Sequence, residues 1–342
     1  MQVNDPLPEL TNELIATLLG RNDVVSTMVE PLSRHRALLS TVDAVTVTLA
    51  DGSTIDAVAK RAAADPEGAA AIAGSGAYRR ELDLYAGFLT KPPLPAPRLL
   101  GVHDPDATDH GAGWVLLLER VRGDEPDQVV GLTEAQATDA LDCLAGLHRS
   151  TRGGDPPAGA RLHPMVGHRQ RLETVWPLFA AAFGPSLGPR DLTLVRGVIE
   201  GMDDLSAMLG DPAWAVMTHA DPRADNLIFG TGPQGTEVVF LDWQQATWQH
   251  PAADLAWLAA TSMPDIDAAL IERLASRHLD LLGVQGQDPM SWFRTGLTWP
   301  LSQFVLLASR PASEERRRLL IGATITRIIA AAVACDYRAD RF

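Results

Sequence analysis

Polar and apolar positions change their spacing several times along the chain, and each spacing predicts an element. Residues 42–49 set Val42, Val45, Val47 and Leu49 among polar neighbours, the alternation of a half-buried strand. Asp51-Gly52 then marks a hairpin turn, because such turns need the positive φ that glycine adopts freely, and residues 55–60 run back as the partner strand. A β-rich segment over 23–32 precedes this pair, so the chain opens on a small antiparallel sheet. Residues 69–89 switch to helical spacing, with Tyr78, Leu82, Tyr85 and Leu89 on one face and Glu81 on or beside it. The Ala-rich patch 62–73 favours helix. The prolines of 91–97 stop that helix and send extended chain toward another strand at 114–119. Ahead of the sheet, Leu7, Leu10, Leu14 and Leu18 fit an amphipathic helix better than a signal sequence.

Beyond Arg122-Gly123-Asp124 the pattern is helical. Residues 133–148 open on a Thr133-x-x-Gln136 capping box and carry Leu141, Leu144 and Leu147 inward. A Gly/Pro loop follows at 152–159, and helices are predicted over 166–183, 190–209, 251–260, 265–282 and much of 289–336. The fold class is α/β in the α+β sense: residues 1–120 form a small antiparallel-sheet lobe and residues 121–342 a larger, mostly helical one. A length of 342 residues with 46% hydrophobic content can bury one large core or two moderate ones.

Charge narrows the partners. A net charge of −14 argues against nucleic acid and anionic membrane, and it suits either solubility or a cationic substrate. Cys143 and Cys335 lie in apolar helical stretches without metal-type spacing, as buried thiols of a reducing compartment do. The apolar run at 325–335 is too short to span a bilayer, so a soluble, cytoplasmic protein is expected. Lysine occurs twice, at Lys60 and Lys91, and Asn226 is the sole asparagine after Asn22. In a chain that otherwise writes Arg and Ala, these retained residues draw notice.

Thr218-His219-Ala220-Asp221-Pro222-Arg223-Ala224-Asp225-Asn226 reads H-x-D-x-x-x-x-N, and sixteen positions later Asp242 closes a second apolar run, Val238-Val239-Phe240-Leu241. Phosphoryl transfer needs a group to orient or deprotonate the attacking hydroxyl, oxygen ligands for a hard cation, and a cation against phosphate charge. Asp221 suits the first role, Asn226 and Asp242 the second, and Lys60, steadied by Glu81, the third. Singly, Asp221 is a turn residue, Asn226 likewise, Asp242 a strand-end cap, and Lys60 and Glu81 surface charges. The joint spacing is what points to chemistry.

These residues resemble the aminoglycoside phosphotransferase and choline kinase superfamily, the small-molecule relatives of protein kinases, with a core in THADPRADNLIFG, VVFLDWQ and PAADLAWLA. The resemblance implies a bilobal protein-kinase-like fold and transfer of the γ-phosphate of ATP or GTP, with Mg2+, to a hydroxyl of a small molecule. It implies Asp221 as catalytic aspartate, Asn226 and Asp242 as magnesium ligands, Lys60 on the nucleotide phosphates and Glu81 as its partner. His219 and Asp254 support the catalytic loop, Arg223 lies within it, and the backbone of Glu119 and Val121 takes the adenine edge. His148, at a helix end common in such proteins, is given a packing role.

Two features depart from the pattern. The loop 31–37, expected to cover the nucleotide, has no glycine, and Trp243-Gln244 follows Asp242 where protein kinases carry Phe-Gly. Two other readings use the same residues: a metal-dependent phosphoesterase built on His219, Asp221, Asp242 and His250, or a nucleotide-binding scaffold without turnover. For the acceptor, Trp176, Trp248, Trp257, Trp292 and Trp299 are either core or the wall of an aromatic pocket. Asp203, Asp204, Asp265, Asp267 and Asp288 are either helix caps and surface or a site for amines. An antibiotic or other natural product is the favoured substrate class.

Overall fold

A computed structural model describes residues 7–32, 40–63, 75–90, 94–105, 113–162, 167–232, 235–308 and 315–338. The loop at 33–37, the proposed helix start at 69–74 and residues 91–93 fall outside these. The chain forms two units. One comprises Met1–Gly123 with Pro157–Gly159 and Val239–Gln245, the other Asp124–Pro156 with Ala160–Val238 and Ala246–Phe342.

In the first unit β1 (Val24–Pro31), β2 (Ser40–Leu49), β3 (Thr54–Ala62), β4 (Leu99–His103) and β5 (Val115–Glu119) make an antiparallel sheet in the order β1-β2-β3-β5-β4. Gly52 turns the β2–β3 hairpin with φ of 85°. Register pairs Val45 with Ala57 and Ala59 with Leu117, so odd-numbered side chains share one face. That face, with Val47, Leu49 and Val115, packs on Leu10, Ile15 and Leu18 of the α1 region (Asn12–Leu19). Thr11 caps α1 by accepting the Leu14 N–H at 3.2 Å. The helix comes so close to β4 that a Cβ on Gly101 would stand 2.3 Å from the Leu18 carbonyl oxygen. Lys60, one position out of phase, therefore points to the opposite face, between Val42 and Leu116 of the flanking strands. The helix α2 (Ala77–Ala86) buries Tyr78, Glu81, Leu82 and Tyr85, the spacing read from sequence.

In the second unit α3 (Glu134–Thr151) begins with the expected capping box: Gln136 N–H donates to Thr133 Oγ1 at 3.2 Å, and Thr133 N–H to Gln136 Oε1 at 3.0 Å. Short strands β6 (Arg161–Leu162), β7 (Val216–Thr218) and β10 (Thr247–Gln249) form a sheet in the order β6-β10-β7, and β8 (Leu227–Gly232) pairs with β9 (Gly235–Phe240). Around them lie α4 (His168–Phe183), α5 (Pro189–Glu200), α6 (Met202–Leu209), α7 (Ala252–Ser262), α8 (Ala268–Leu282), α9 (Pro289–Ala308) and α10 (Glu315–Ala334). Every residue of α7 is buried, which makes it the central post of this unit. At Gly296 of α9 a Cβ would lie 1.9 Å from the Ala252 carbonyl oxygen, so α9 lies directly against the start of α7.

The helix expected over 190–209 is two helices, because Gly201 closes α5 with its N–H on the Gly197 and Ile199 carbonyls. The stretch 289–336 likewise holds two. Strands β4 and β10 were not foreseen: β4 is half-buried throughout and β10 is three residues long, so neither alternates over enough positions to stand out. Both cysteines are free, and burial pushes each thiol up to about 12. Among the described residues no helix is long and apolar enough to cross a membrane.

Candidate active site

The sequence-derived site residues fall into two groups, one in each unit. In the first unit, Lys60 extends from the even face of β3 and its Nζ lies 2.6 Å from Glu81 Oε2 and 2.7 Å from Asp242 Oδ1. Lys60 and Glu81 are 6% and 2% exposed, and the Asp242 side chain, at 22%, is the partly exposed member of the cluster. Burial opposes the ammonium, yet the two carboxylates outweigh it and hold the Lys60 pKa above its ordinary value. Burial also raises the Glu81 carboxyl, with Lys60 pulling it back and Asp242 pushing it further up. One cation between two carboxylates leaves the cluster a net charge of −1, which suits a further cation beside it.

The turn after β9 presents Asp242 in an unusual backbone state, φ of 63°, which short polar side chains tolerate better than most. Three contacts fix it. Glu81 Oε1 accepts the Trp243 N–H at 3.2 Å, the Trp243 indole donates to the Phe240 carbonyl at 2.9 Å, and Gln244 Nε2 donates to Asp242 Oδ2 at 3.1 Å. Arg80 adds a hydrogen bond to the Gln244 carbonyl. Trp243 and Gln244 thus brace this turn by packing and hydrogen bonds. In β5, the Glu119 N–H donates to the Arg98 carbonyl at 2.9 Å and its carboxylate accepts the Arg98 N–H at 2.8 Å. Val121 follows, half-buried, just beyond the strand.

In the second unit the loop from β7 is held from several sides. Asp254, fully buried on α7, accepts the His219 N–H at 2.9 Å and the Ala220 N–H at 2.7 Å. The indole of Trp299 on α9 donates to the Ala220 carbonyl at 2.9 Å. Ala220 has φ of 66°, a left-handed conformation that an alanine enters only at a cost of about 1–2 kcal/mol. The His219 ring is buried and its Nδ1 accepts the Asp221 N–H at 3.3 Å. Ser262 Oγ, at the end of α7, accepts the Ala224 N–H at 3.0 Å.

Asp221 meets both other loop residues of interest. Asn226 Nδ2 donates to the Asp221 carbonyl at 2.9 Å and to Asp221 Oδ2 at 3.2 Å. Arg223 Nε lies 3.5 Å from Asp221 Oδ1. With its nitrogen so committed, Asn226 keeps its amide oxygen as the remaining polar atom of the side chain. Asn226 in the second unit and Asp242 in the first each offer a hard oxygen donor of the kind magnesium takes. Among the described residues there is no group of three or more His, Cys, Asp or Glu that could hold a metal ion. The His219 Nδ1 accepts the Asp221 N–H, and the His250 Nδ1 accepts the Ala252 N–H at 3.2 Å.

Sequence reasoning missed several supports of this loop. His148 is a hydrogen-bond partner of Asp254 at 3.0 Å as well as a packing residue. Arg327 on α10 donates to the Gln128 and Val129 carbonyls, each at 2.7 Å, and the Gln128 N–H in turn donates to Asp225 Oδ1 at 2.8 Å. These residues lie 97 to 199 positions from their partners in the chain, so no local pattern announces them. Trp257, Trp292 and Trp299 are buried core side chains, and Trp176 stacks on Phe179.

Comparison with known proteins extends the resemblance. Residues 36–293 match the model of the phosphotransferase enzyme family known as APH. No curated protein matches the sequence. Among solved structures, the fold is similar to a microcompartment-associated aminopropanol kinase, at 18% identity, TM-score 0.61, covering 96% of this chain and 99% of that one. It is similar also to a candidate aminoglycoside phosphotransferase from Ralstonia eutropha, at 14% identity, TM-score 0.60 and 96% of both chains. A spectinomycin phosphotransferase in complex with ADP and spectinomycin aligns at 13% identity and TM-score 0.55, over 95% of this chain and 97% of that one. The expected α+β, kinase-like fold is the one found.

Proposed function

Because the chain belongs to the phosphotransferase enzyme family and is a kinase of the small-molecule class, we propose that it moves the γ-phosphate of ATP or GTP to a hydroxyl of a small molecule, with Mg2+ held by Asn226 and Asp242. The buried Lys60–Glu81–Asp242 cluster carries this reading most strongly. A buried, charged lysine between two carboxylates is costly to assemble, and nothing in the packing of β3 requires it. In the reading, Lys60 neutralises nucleotide phosphate, Glu81 holds Lys60 in place, and the backbone of Glu119 and Val121 meets the adenine edge. Residues 1–120 then serve mainly the nucleotide, and residues 121–342 catalysis and the acceptor.

Asp221 orients the acceptor hydroxyl and receives its proton as the oxygen attacks phosphorus; the Asn226 amide and the Arg223 guanidinium fix its carboxylate. His219 and Asp254 hold the backbone that carries it. Magnesium, when bound, offsets the charge that develops on the transferred group. The acceptor class we favour is an antibiotic or other natural product. Supporting this are the spectinomycin complex among the structural neighbours and the net charge of −14, which suits a cationic acceptor. A cytoplasmic location belongs to the same reading, consistent with two free cysteines.

The test is substrate-dependent ATP or GTP consumption across a panel of hydroxyl compounds, run on the parent enzyme, Asp221→Asn and Asp242→Ala. Asp221→Asn is expected to lower turnover by about 10²–10⁴-fold with nucleotide affinity within a few-fold, whereas Asp242→Ala weakens Mg-nucleotide binding itself. Nucleotide binding with no turnover in the parent protein would favour a nucleotide-binding scaffold instead, and unchanged turnover in Asp221→Asn would remove Asp221 from the catalytic role.

A further inference from the structure

Behind Asp254, in the second unit, runs a chain of buried polar side chains that the proposed chemistry does not use directly. The Trp292 indole nitrogen of α9 lies 3.2 Å from His278 Nδ1 of α8. His278 Nε2 lies 3.1 Å from His148 Nδ1 of α3, and His148 Nε2 lies 3.0 Å from Asp254 Oδ2 of α7. His148, His278 and Asp254 are fully buried and Trp292 is 3% exposed, so water does not relay these contacts.

We propose that His278 and Trp292 are positioning residues for phosphotransfer: the chain from Trp292 through His278 and His148 has a single direction, and that direction supplies Asp254 with the donor that holds it against the His219 and Ala220 amides. The direction follows from chemistry. An indole N–H donates and never accepts, so His278 Nδ1 must be an acceptor. A neutral imidazole has one donor and one acceptor, so His278 Nε2 carries the proton and donates to His148 Nδ1. By the same rule His148 Nε2 carries a proton and donates to Asp254. Burial, with His148 and His250 nearby, lowers the His278 pKa and keeps that ring neutral.

Asp254 needs this donor. Its Oδ1 takes the Ala220 N–H, and its Oδ2 takes both the His219 N–H and the His148 ring N–H. With His148 in the other tautomer the buried carboxylate would lose one of three donors, and with His278 in the other tautomer a lone pair would face the His148 Nδ1 lone pair, which favours the flip of His148. Asp254 would then shift on the amides that hold Ala220 left-handed ahead of Asp221. The link to turnover rests on the reading of Asp221 given above, while the tautomers themselves do not.

Two measurements on the full-length 15N-labelled protein test this. Long-range 1H–15N spectra of the imidazoles at neutral pH are expected to show His148 and His278 both as Nε2–H tautomers, with the Ala220 and His219 amide protons shifted downfield by the carboxylate. Trp292→Phe keeps a ring but removes the N–H; His278 should lose its fixed tautomer and the two amide signals should move. His278→Gln, which still offers an acceptor and a donor, should disturb them less than His278→Leu. Melting curves establish that each variant is folded, and the Gln variant serves where the Leu variant is not.

In the kinetic arm, nucleotide hydrolysis with water as acceptor is expected to fall about tenfold in kcat in Trp292→Phe, with the nucleotide KM within twofold. An Nδ1–H tautomer or an imidazolium at His278 in the parent protein overturns the proposal. So do loop amide signals, or a kcat, that Trp292→Phe leaves in place. Should the parent enzyme turn over no nucleotide, the functional reading fails, and the amide shifts alone decide whether the chain positions the loop.

Discussion

At the scale of single residues, Lys60 shows how geometry decides what a side chain is for. An exposed strand lysine would gain little from a neighbouring carboxylate, whereas here two carboxylates, one of them buried, meet a buried lysine within 2.7 Å. Lys60→Met should therefore lower stability by about 3–5 kcal/mol at neutral pH, because Glu81 and Asp242 are left facing each other unpaired. The loss should shrink on acidification, where the Glu81 carboxyl, already raised by burial, takes up a proton and removes the repulsion. Urea denaturation of both proteins at pH 5 and pH 7.5 measures this, and an equal loss at both values would contradict it. Asp221, Asn226, Asp242 and Lys60 stood out as candidates because each belongs to a short motif or is a rare residue type in this chain, and Glu81 because of its place on a helical face. Sequence reading listed Trp299 only as core or pocket wall and did not name Ser262 or Arg327, since the partners of all three lie far away in the chain.

Among the elements, α7 repays the closest inspection. Its eleven residues are all buried, and it carries Asp254 toward the loop after β7 while α9 presses on its first turn at Gly296. Gly296→Val should cost about 1–3 kcal/mol or more through backbone displacement, and it should lower turnover beyond what the loss of stability explains, since α9 also bears Trp299. Thermal denaturation alongside nucleotide hydrolysis checks it. Just ahead of α7, His250 packs against the Trp292 ring at 4.5 Å, and burial, with His148 adding to it and Asp211 opposing, lowers its pKa to about 3. The sign follows directly. Between about pH 3 and the unfolded value of about 6.5, the unfolded chain binds the proton and the folded one does not, so stability rises with pH across that window and is fully present above it. Each unit of pH is worth at most about 1.4 kcal/mol from this ring. His250→Gln should flatten the stability profile from pH 4 to 6.5 relative to the parent, and parallel profiles would rule the assignment out. Helix existence was legible from periodicity, as α3 and α8 show. Helix breaks were less so, because Gly201 ends α5 inside an otherwise continuous apolar pattern.

For the whole molecule, ligand linkage gives the most direct check. A nucleotide that binds the folded chain and not the unfolded one should stabilise it by about 2.7 kcal/mol at a hundred times its Kd. The upward shift in melting temperature should appear with ATP or GTP plus Mg2+ and shrink with Asp242→Ala; no shift at millimolar nucleotide would count against the proposed role of the first unit. The fold class was readable because the two units obey different periods, two residues in the sheet and about four in the helices. What could not be read is the acceptor, since no short spacing in the chain specifies one.

Ala220 has a methyl group in a backbone conformation that its own preferences resist, and it stays there because Asp254 grips the amide on one side and Trp299 the carbonyl on the other. Such a loop behaves like a sprung catch. With both grips engaged it has one shape; with one released, the stored tension drives the peptide back to the right-handed form and swings the aspartate out of line. Damage at a distance would thus appear as a smaller fraction of working molecules, each running at full speed, and not as a uniformly slower population.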